Sequence, residues 1–407
     1  MVYYNFKKHK EFLFLDLFVY LIPISIIIGN LIINTISLIS ILIFFLLILK
    51  KKFIYCDYKT YFNFLFALIA LLATNLIFSS NFELSIISIF GVIRYYLLFV
   101  IILFCLDNVN HFKKIFTNII FYLIVFVVID ILIQHFFLVD IFGNEINESH
   151  GRRLSGPFGD EGVAGTFISK LFFLSLFYMF EKNFIKKFIF PIIILTVITI
   201  ILTNERSASI MFFSSALIFF VFYRVNILYK SIIFIITILS LVIVFHFNNN
   251  LKLHFIDIPT NAFKDNHHKA HFLTAYEIFK DNKFFGSGIK TFRYICAEEK
   301  YEKINTKFAH KRCSTHPHNI YLEIISEMGI LGLIVIILIN LYILFFLTIN
   351  FFKKTHLRQE ILFLFCSFFI LFWPFQTTGA FFSTWNGIFY WIFFSYFFYF
   401  KKLTAKN

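Results

Sequence analysis

The chain of 407 residues is 59% hydrophobic and only 15% charged, with a mean hydropathy of +0.82. Soluble domains carry about 25% charged residues, so the composition describes an integral membrane protein and excludes a soluble enzyme. The net charge of +14 does not signal nucleic acid, because the basic residues mostly form short clusters between apolar stretches, as topology signals do.

The basic N-terminus (Lys7, Lys8, Lys10) leads into apolar residues 12–29. That run exceeds a signal-peptide core and has no small-residue cleavage site, which predicts a retained first helix. Apolar windows of roughly 17–25 residues mark membrane spans. Twelve are read: 12–29, 31–49, 60–79, 84–105, 115–136, 162–180, 188–203, 208–224, 230–247, 319–349, 360–378 and 383–400. The tenth is long enough that its first turns are expected outside the hydrocarbon. The chain thus divides into a block of nine spans (1–247), an outer loop (248–318) and three further spans (319–407).

Orientation follows from the Lys/Arg bias. With both termini cytoplasmic, 20 of the 37 basic residues fall on the inner side, against Arg152, Arg153 and Arg206 in the short outer loops. The reverse arrangement would place all 20 outside. The large outer loop carries 12 basic and 7 acidic residues and seven of the thirteen histidines. Within it, Phe272, Ala275, Ile278 and Phe279 recur at helical spacing, predicting a cap helix over 268–281. Gly286 and Gly288 then signal a turn.

Cys56, Cys105 and Cys366 lie in or beside spans and read as packing residues. Cys296 and Cys313 lie in the outer loop, 17 positions apart. In an oxidising compartment they suggest a disulfide worth roughly 3 kcal/mol by loop entropy. Two free thiols, or a zinc site using Cys313, His316 and His318, are the alternatives, although that spacing departs from the usual paired ligands.

Four polar clusters fall on the outer side. In GRRLSGPFGDEGVAGTFISK (151–170), Arg152 and Arg153 precede Asp160 and Glu161; guanidinium forks suit phosphate, while the acids suit a helix N-terminus. In TNERSAS (203–209), Glu205 and Arg206 sit in a very short connection, as substrate contacts or as a local ion pair. Arg94 and Lys170 lie in mid-span, where a charge costs about 2.5–3.5 kcal/mol; each serves either a buried site or a structural hydrogen bond. The fourth cluster is CSTHPHNIYLEIISEMGILG (313–332). His316 and His318 flank Pro317, Asn319 can cap a helix, and Glu323 and Glu327 follow on one face. A helix start favours an anion and disfavours imidazolium, so His318 is expected to stay neutral and accept a proton. Gly329 and Gly332 permit close helix packing.

These residues resemble the O-antigen ligase/polymerase family of bacterial inner-membrane glycan-transfer proteins, over about residues 84–340. His318-Asn319, nine residues and Gly329-Ile-Leu-Gly332 fit the family's His-Asn…Gly-x-x-Gly motif. KDNKFFGSGIKTFR (280–293), RLSGPFGDE (153–161) and NERSA (204–208) resemble its other outer segments, with Lys283 where proline is common and Glu161-Gly162 where many members have Pro-Asn. The resemblance implies a GT-C-like membrane fold and a transferase that uses no metal or other cofactor. Such an enzyme moves a glycan from undecaprenyl pyrophosphate to a sugar hydroxyl on the periplasmic side. By motif, His318 is the general base or acceptor-positioning residue, and Arg153 and Arg206 bind the pyrophosphate. His316, Asn319, Glu161, Glu205 and Arg94 complete the expected substrate-binding set. Backside attack would invert the anomeric carbon. An O-antigen ligase acting on lipid A–core is the leading expectation and a repeat-unit polymerase the second. A lipid-linked sugar flippase, which would show paired repeats and midplane polar sites, is the competitor from another class.

Overall fold

The computed structural model describes residues 10–50, 52–146, 153–181, 188–252, 255, 267–353, 356–377 and 379–405. The described residues are helical apart from connecting loops and one isolated bridge between Val139 and Glu145. In chain order the main helices are α1 (Lys10–Tyr20), α2 (Ile22–Ile28), α3 (Asn30–Lys50), α4 (Lys52–Ile77), α5 (Phe82–Asn108), α6 (Phe112–Phe137) and α7 (Ala164–Glu181). They continue as α8 (Ile189–Leu202), α9 (Arg206–Phe222), α10 (Ile227–Phe247), α11 (His267–Asp281), α12 (Ile320–Phe352), α13 (Arg358–Leu371) and α14 (Thr384–Ala405). Each of the twelve apolar windows falls on a helix. Among the described residues seven helices are long and apolar enough to cross a membrane: α3, most of α4, α5, α6, α7, α10 and α12. Phe14–Ile28, α8 and α9 are shorter apolar helices.

Two windows are not simple rods. The first is divided into α1 and α2, with Pro23 in the first turn of α2, where its missing N–H costs nothing. The tenth is broken at Gly329, whose φ of 68° and ψ of −168° belong to a region open essentially to glycine alone. The break separates Ile320–Met328 from the long apolar run that follows.

The loop after α11 is wedged against this break. The carbonyls of Lys283 and Phe284 accept the N–H groups of Ile330 and Leu331 (2.8 and 3.4 Å) that the kink releases from the helix ladder. In return, Ser287 and Gly288 donate to the carbonyls of Ser326 and Glu327 (3.0 and 2.9 Å). The side-chain amide of Asn75, near the end of α4, donates to Phe285 and Glu327 carbonyls, and the Phe78 ring stacks on Phe285 at 4.3 Å. Gly286 lies so close to the Glu327–Met328 peptide that a Cβ there would overlap it. Both glycine motifs therefore serve one backbone-to-backbone contact.

The cap helix α11 covers the predicted stretch, with a different inward face. His271, Thr274, Ala275 and Ile278 are buried, a clean i, i+3, i+4, i+7 stripe, while Phe272 and Phe279 are only half-buried. Ala275 and Ile278 join Phe292, Ile295, Cys296 and Tyr301 in a small core that Leu322 of α12 packs against. Cys296 and Cys313 are bonded in a disulfide, their Cα atoms 5.2 Å apart, so the cap is tied to the segment that leads into α12.

Candidate functional site

The start of α12 is held by the loop between α13 and α14. Asn319 caps the helix, its Oδ1 accepting from the N–H groups of Tyr321 and Leu322 (3.0 and 3.1 Å). Its Nδ2 donates to the Pro374 carbonyl at 2.7 Å, and the Tyr321 hydroxyl donates to the Phe372 carbonyl at 2.8 Å. One turn further, the buried Glu323 accepts from the N–H groups of Phe381 and Phe382 (2.8 and 3.4 Å). Glu327 likewise accepts from Lys290 and Phe292 (2.7 and 3.2 Å). Both carboxylates are thus occupied with loop backbone, and Asn319 has both ends of its amide engaged, so these residues position the site.

His318 emerges from this clamp in a left-handed backbone conformation, φ 55°. Its Nδ1 lies 3.2 Å from the Thr377 carbonyl oxygen. A carbonyl can only accept, so Nδ1 carries the proton and Nε2 keeps its lone pair. Nε2 in turn accepts from the Ser314 hydroxyl at 3.0 Å. Burial lowers the pKa of His318, against an opposing pull from the Thr377 carbonyl. The ring is therefore a neutral base with a defined tautomer.

Three more imidazoles surround it. The rings of His316, His268 and His271 lie 4.3, 5.1 and 5.1 Å from that of His318. Burial, reinforced by the neighbouring imidazoles, lowers His316 to about 3 and His268 and His271 to about 4. His268 Nδ1, His271 Nδ1 and His316 Nε2 are buried without a protein hydrogen-bond partner. The roles of His268 and His271 were missed in the sequence. The only available signal was the HHxxH spacing at 267–271 on a predicted helix. Among the described residues no group of His, Cys, Asp and Glu is arranged to hold a metal ion, and the disulfide removes the Cys313 thiolate that the zinc alternative needed.

The arginines approach from the other side. Glu205, expected as a substrate contact or the ion-pair partner of Arg206, instead caps α7. Its carboxylate accepts from the N–H groups of Gly165 and Thr166 (2.6 and 3.2 Å) and from the Thr166 hydroxyl (2.6 Å), a favourable place for an anion. Burial nonetheless raises Glu205 to about 7, with these hydrogen bonds and then Arg153 pulling the other way. Gly165 allows the approach, since a Cβ there would meet the Thr203 and Glu205 side chains. Glu161, expected to serve a helix start, is exposed on the turn before α7. Arg153 folds across Gly162, and its Nε is buried without a hydrogen bond. Arg153 is near enough to repel Arg206, and Arg206 near enough to depress His268. The charge of Arg206 thus reaches His268, whose ring lies 5.1 Å from that of His318. Arg152 lies outside the described residues.

Arg94 is elsewhere. It lines a cleft with Lys290 between α3 and α5, to which none of the four clustered histidines contributes. Lys170, fully buried in α7, donates to the Asn386 side chain of α14. That pairing is the structural alternative considered for it.

A bundle of apolar helices, seven of them among the described residues long and apolar enough to span a bilayer, together with a disulfide-tied cap over a histidine cluster, is consistent with a polytopic membrane protein. Residues 191–337, which include Arg206, the cap, His318 and the Gly329–Gly332 kink, match the family model described as O-antigen ligase. That match, over 147 of the 407 residues, supports a place in the O-antigen ligase/polymerase family. No curated protein matches the chain.

Proposed function

We propose that this protein transfers a glycan from undecaprenyl pyrophosphate to a sugar hydroxyl at the outer face of the inner membrane, as an O-antigen ligase acting on lipid A–core. In this reading the bundle crosses the membrane twelve times in a GT-C-like arrangement, both termini are cytoplasmic, and the cap is periplasmic. The observation that carries the proposal is a neutral His318 whose Nε2 lone pair is already hydrogen-bonded to a hydroxyl, beside a His268 that feels the charge of Arg206.

Ser314 stands where an acceptor hydroxyl would bind. The acceptor oxygen attacks the anomeric carbon and gives its proton to His318 Nε2. As that carbon–oxygen bond forms, the bond to the pyrophosphate breaks on the opposite face, inverting the centre. The arginines neutralise the charge gathering on the departing pyrophosphate. An apolar groove of about 230 Å³ between α8, α9 and α10 begins at Ser209 and Ile210, one turn beyond Arg206. It offers the polyprenyl chain a path into the bilayer.

The decisive assay is reconstitution with an undecaprenyl-pyrophosphate glycan and either core lipid or a second donor molecule. Glycosylated core lipid supports the ligase, lengthened donor indicates a polymerase, and movement of donor across the bilayer without bond exchange indicates a flippase. In the same assay Arg206→Lys is expected to lose most activity, because the charge survives but the planar fork does not. Wild-type rates in that variant would remove Arg206 from the donor site. The Cys296–Cys313 bond is expected in the secreted loop of the native protein. Non-reducing peptide mass spectrometry should recover the two cysteines in one linked species, and two separately alkylated thiols would refute it.

A further inference from the structure

The cleft holding Arg94 lies outside the histidine site. It has a volume of about 510 Å³ and is lined by α3 (Asn34, Leu38), α5 (Ser88, Arg94, Tyr95) and Lys290 of the loop wedged under α12. Lys290 and Arg94 are close enough for each to bear on the other's charge. Among the described residues neither forms a salt bridge, and no acidic residue lines the cleft. Glu323 and Glu327 act on Lys290 from behind, but their oxygens are committed to backbone N–H groups.

Two polar atoms here, Arg94 Nε and Asn34 Oδ1, are buried without a partner. Each such atom in a native fold calls for an occupant that satisfies it, and their convergence in one cleft with two cations is a recognition pattern. A phosphate would accept from the guanidinium and the ammonium, while a neighbouring hydroxyl would donate to Asn34. The rim consists of exposed apolar side chains, Leu38, Ile87 and Phe90, on two helices with membrane-span length and composition. The cleft therefore opens sideways toward acyl chains.

We propose that the α3–α5 cleft is a lateral binding site for the anionic, phosphate-bearing headgroup of a membrane lipid, held by Arg94 and Lys290. It goes beyond the transferase reading and does not depend on it, because the binding needs neither His318 nor catalysis.

The test is native mass spectrometry of the full chain released from nanodiscs containing phosphatidylcholine with either phosphatidylglycerol or polyprenyl phosphate. The wild type should retain a phosphate lipid that survives delipidation. Retention of phosphatidylglycerol alone would identify a glycerophospholipid site, and retention of polyprenyl phosphate a carrier-lipid site. The double variant Arg94→Gln/Lys290→Gln should reduce occupancy roughly ten- to hundredfold, as loss of charge-assisted hydrogen bonds does. Gly91→Phe provides a second route that leaves both cations in place. Gly91 lines the cleft, has ordinary helical backbone and has nothing within 4 Å of a built Cβ, so the ring fills the space without displacing the chain. It should empty the site equally. Equal retention of zwitterionic phosphatidylcholine and the anionic lipids, or unchanged occupancy in both variants, overturns the proposal.

Discussion

His318→Ala is expected to lower glycan transfer by about 10²–10⁴-fold, the range supplied by a positioned general base, while the protein remains inserted and folded. The chemistry needs a lone pair facing the acceptor hydroxyl, and the Thr377 carbonyl ensures that it is Nε2 that offers one. The surrounding imidazoles are poor substitutes, because each is lowered further than the chemistry requires, His316 to about 3. The pH dependence provides a separate signature. Only the neutral ring accepts a proton, and burial holds the pKa of His318 below the ordinary value of 6.5. Transfer by the wild type should therefore persist as the pH falls through 6.5, and be lost only below the depressed pKa. A rate that halves near 6.5, or an alanine variant as fast as the wild type, would show that His318 is not the base. Binding of donor lipid to the alanine variant should be unchanged, which separates the loss of the base from a collapsed site.

Much of this site is written in the side chains. The cap helix over 268–281 is visible as helical periodicity and the arginine segments as charge, while the His-Asn…Gly-x-x-Gly run is visible through its resemblance to a family motif. Other parts depend on groups that leave no trace in a sequence. The partner that sets the His318 tautomer is a backbone carbonyl in the α13–α14 loop, a segment without a distinctive composition. Glu205 looks like the partner of the adjacent Arg206, yet the unpaired N–H groups at the start of α7 attract it more strongly. His268 and His271 depend on how α11 rolls. The apolar pattern picked Phe272, Ala275, Ile278 and Phe279; Ala275 and Ile278 are buried in the small core around Ile295, whereas Phe272 and Phe279 are half-buried and His271 lies inward beside them. Long-range packing, which local patterns cannot encode, decided each of these cases.

The same distinction governs the second large effect, at the glycines joining the cap to α12. Gly286→Ala and Gly329→Ala are each expected to destabilise the protein by about 2–6 kcal/mol, combining backbone strain with overpacking. At Gly329 the conformation itself excludes a side chain, and the new methyl would also overlap the Phe284 carbonyl. At Gly286 it would overlap the Glu327–Met328 peptide. Neither obstacle is a flexible side chain that could swing aside, since both are backbone groups already hydrogen-bonded across the same interface. Relief would require separating the loop from the kink, which would expose the N–H groups of Ile330 and Leu331 and free the Lys290–Phe292 backbone from Glu327. Gly91→Ala is the matched control: its Cβ enters open space in the middle of α5, and helix propensity makes the change favourable by roughly 0.5–1 kcal/mol. The unfolding midpoint of the detergent-solubilised protein should therefore fall sharply for the first two variants and hold or rise for the third. If all three shifted alike, the loop would not be locked to the kink, and the start of α12 would lose the support that keeps His318 in place.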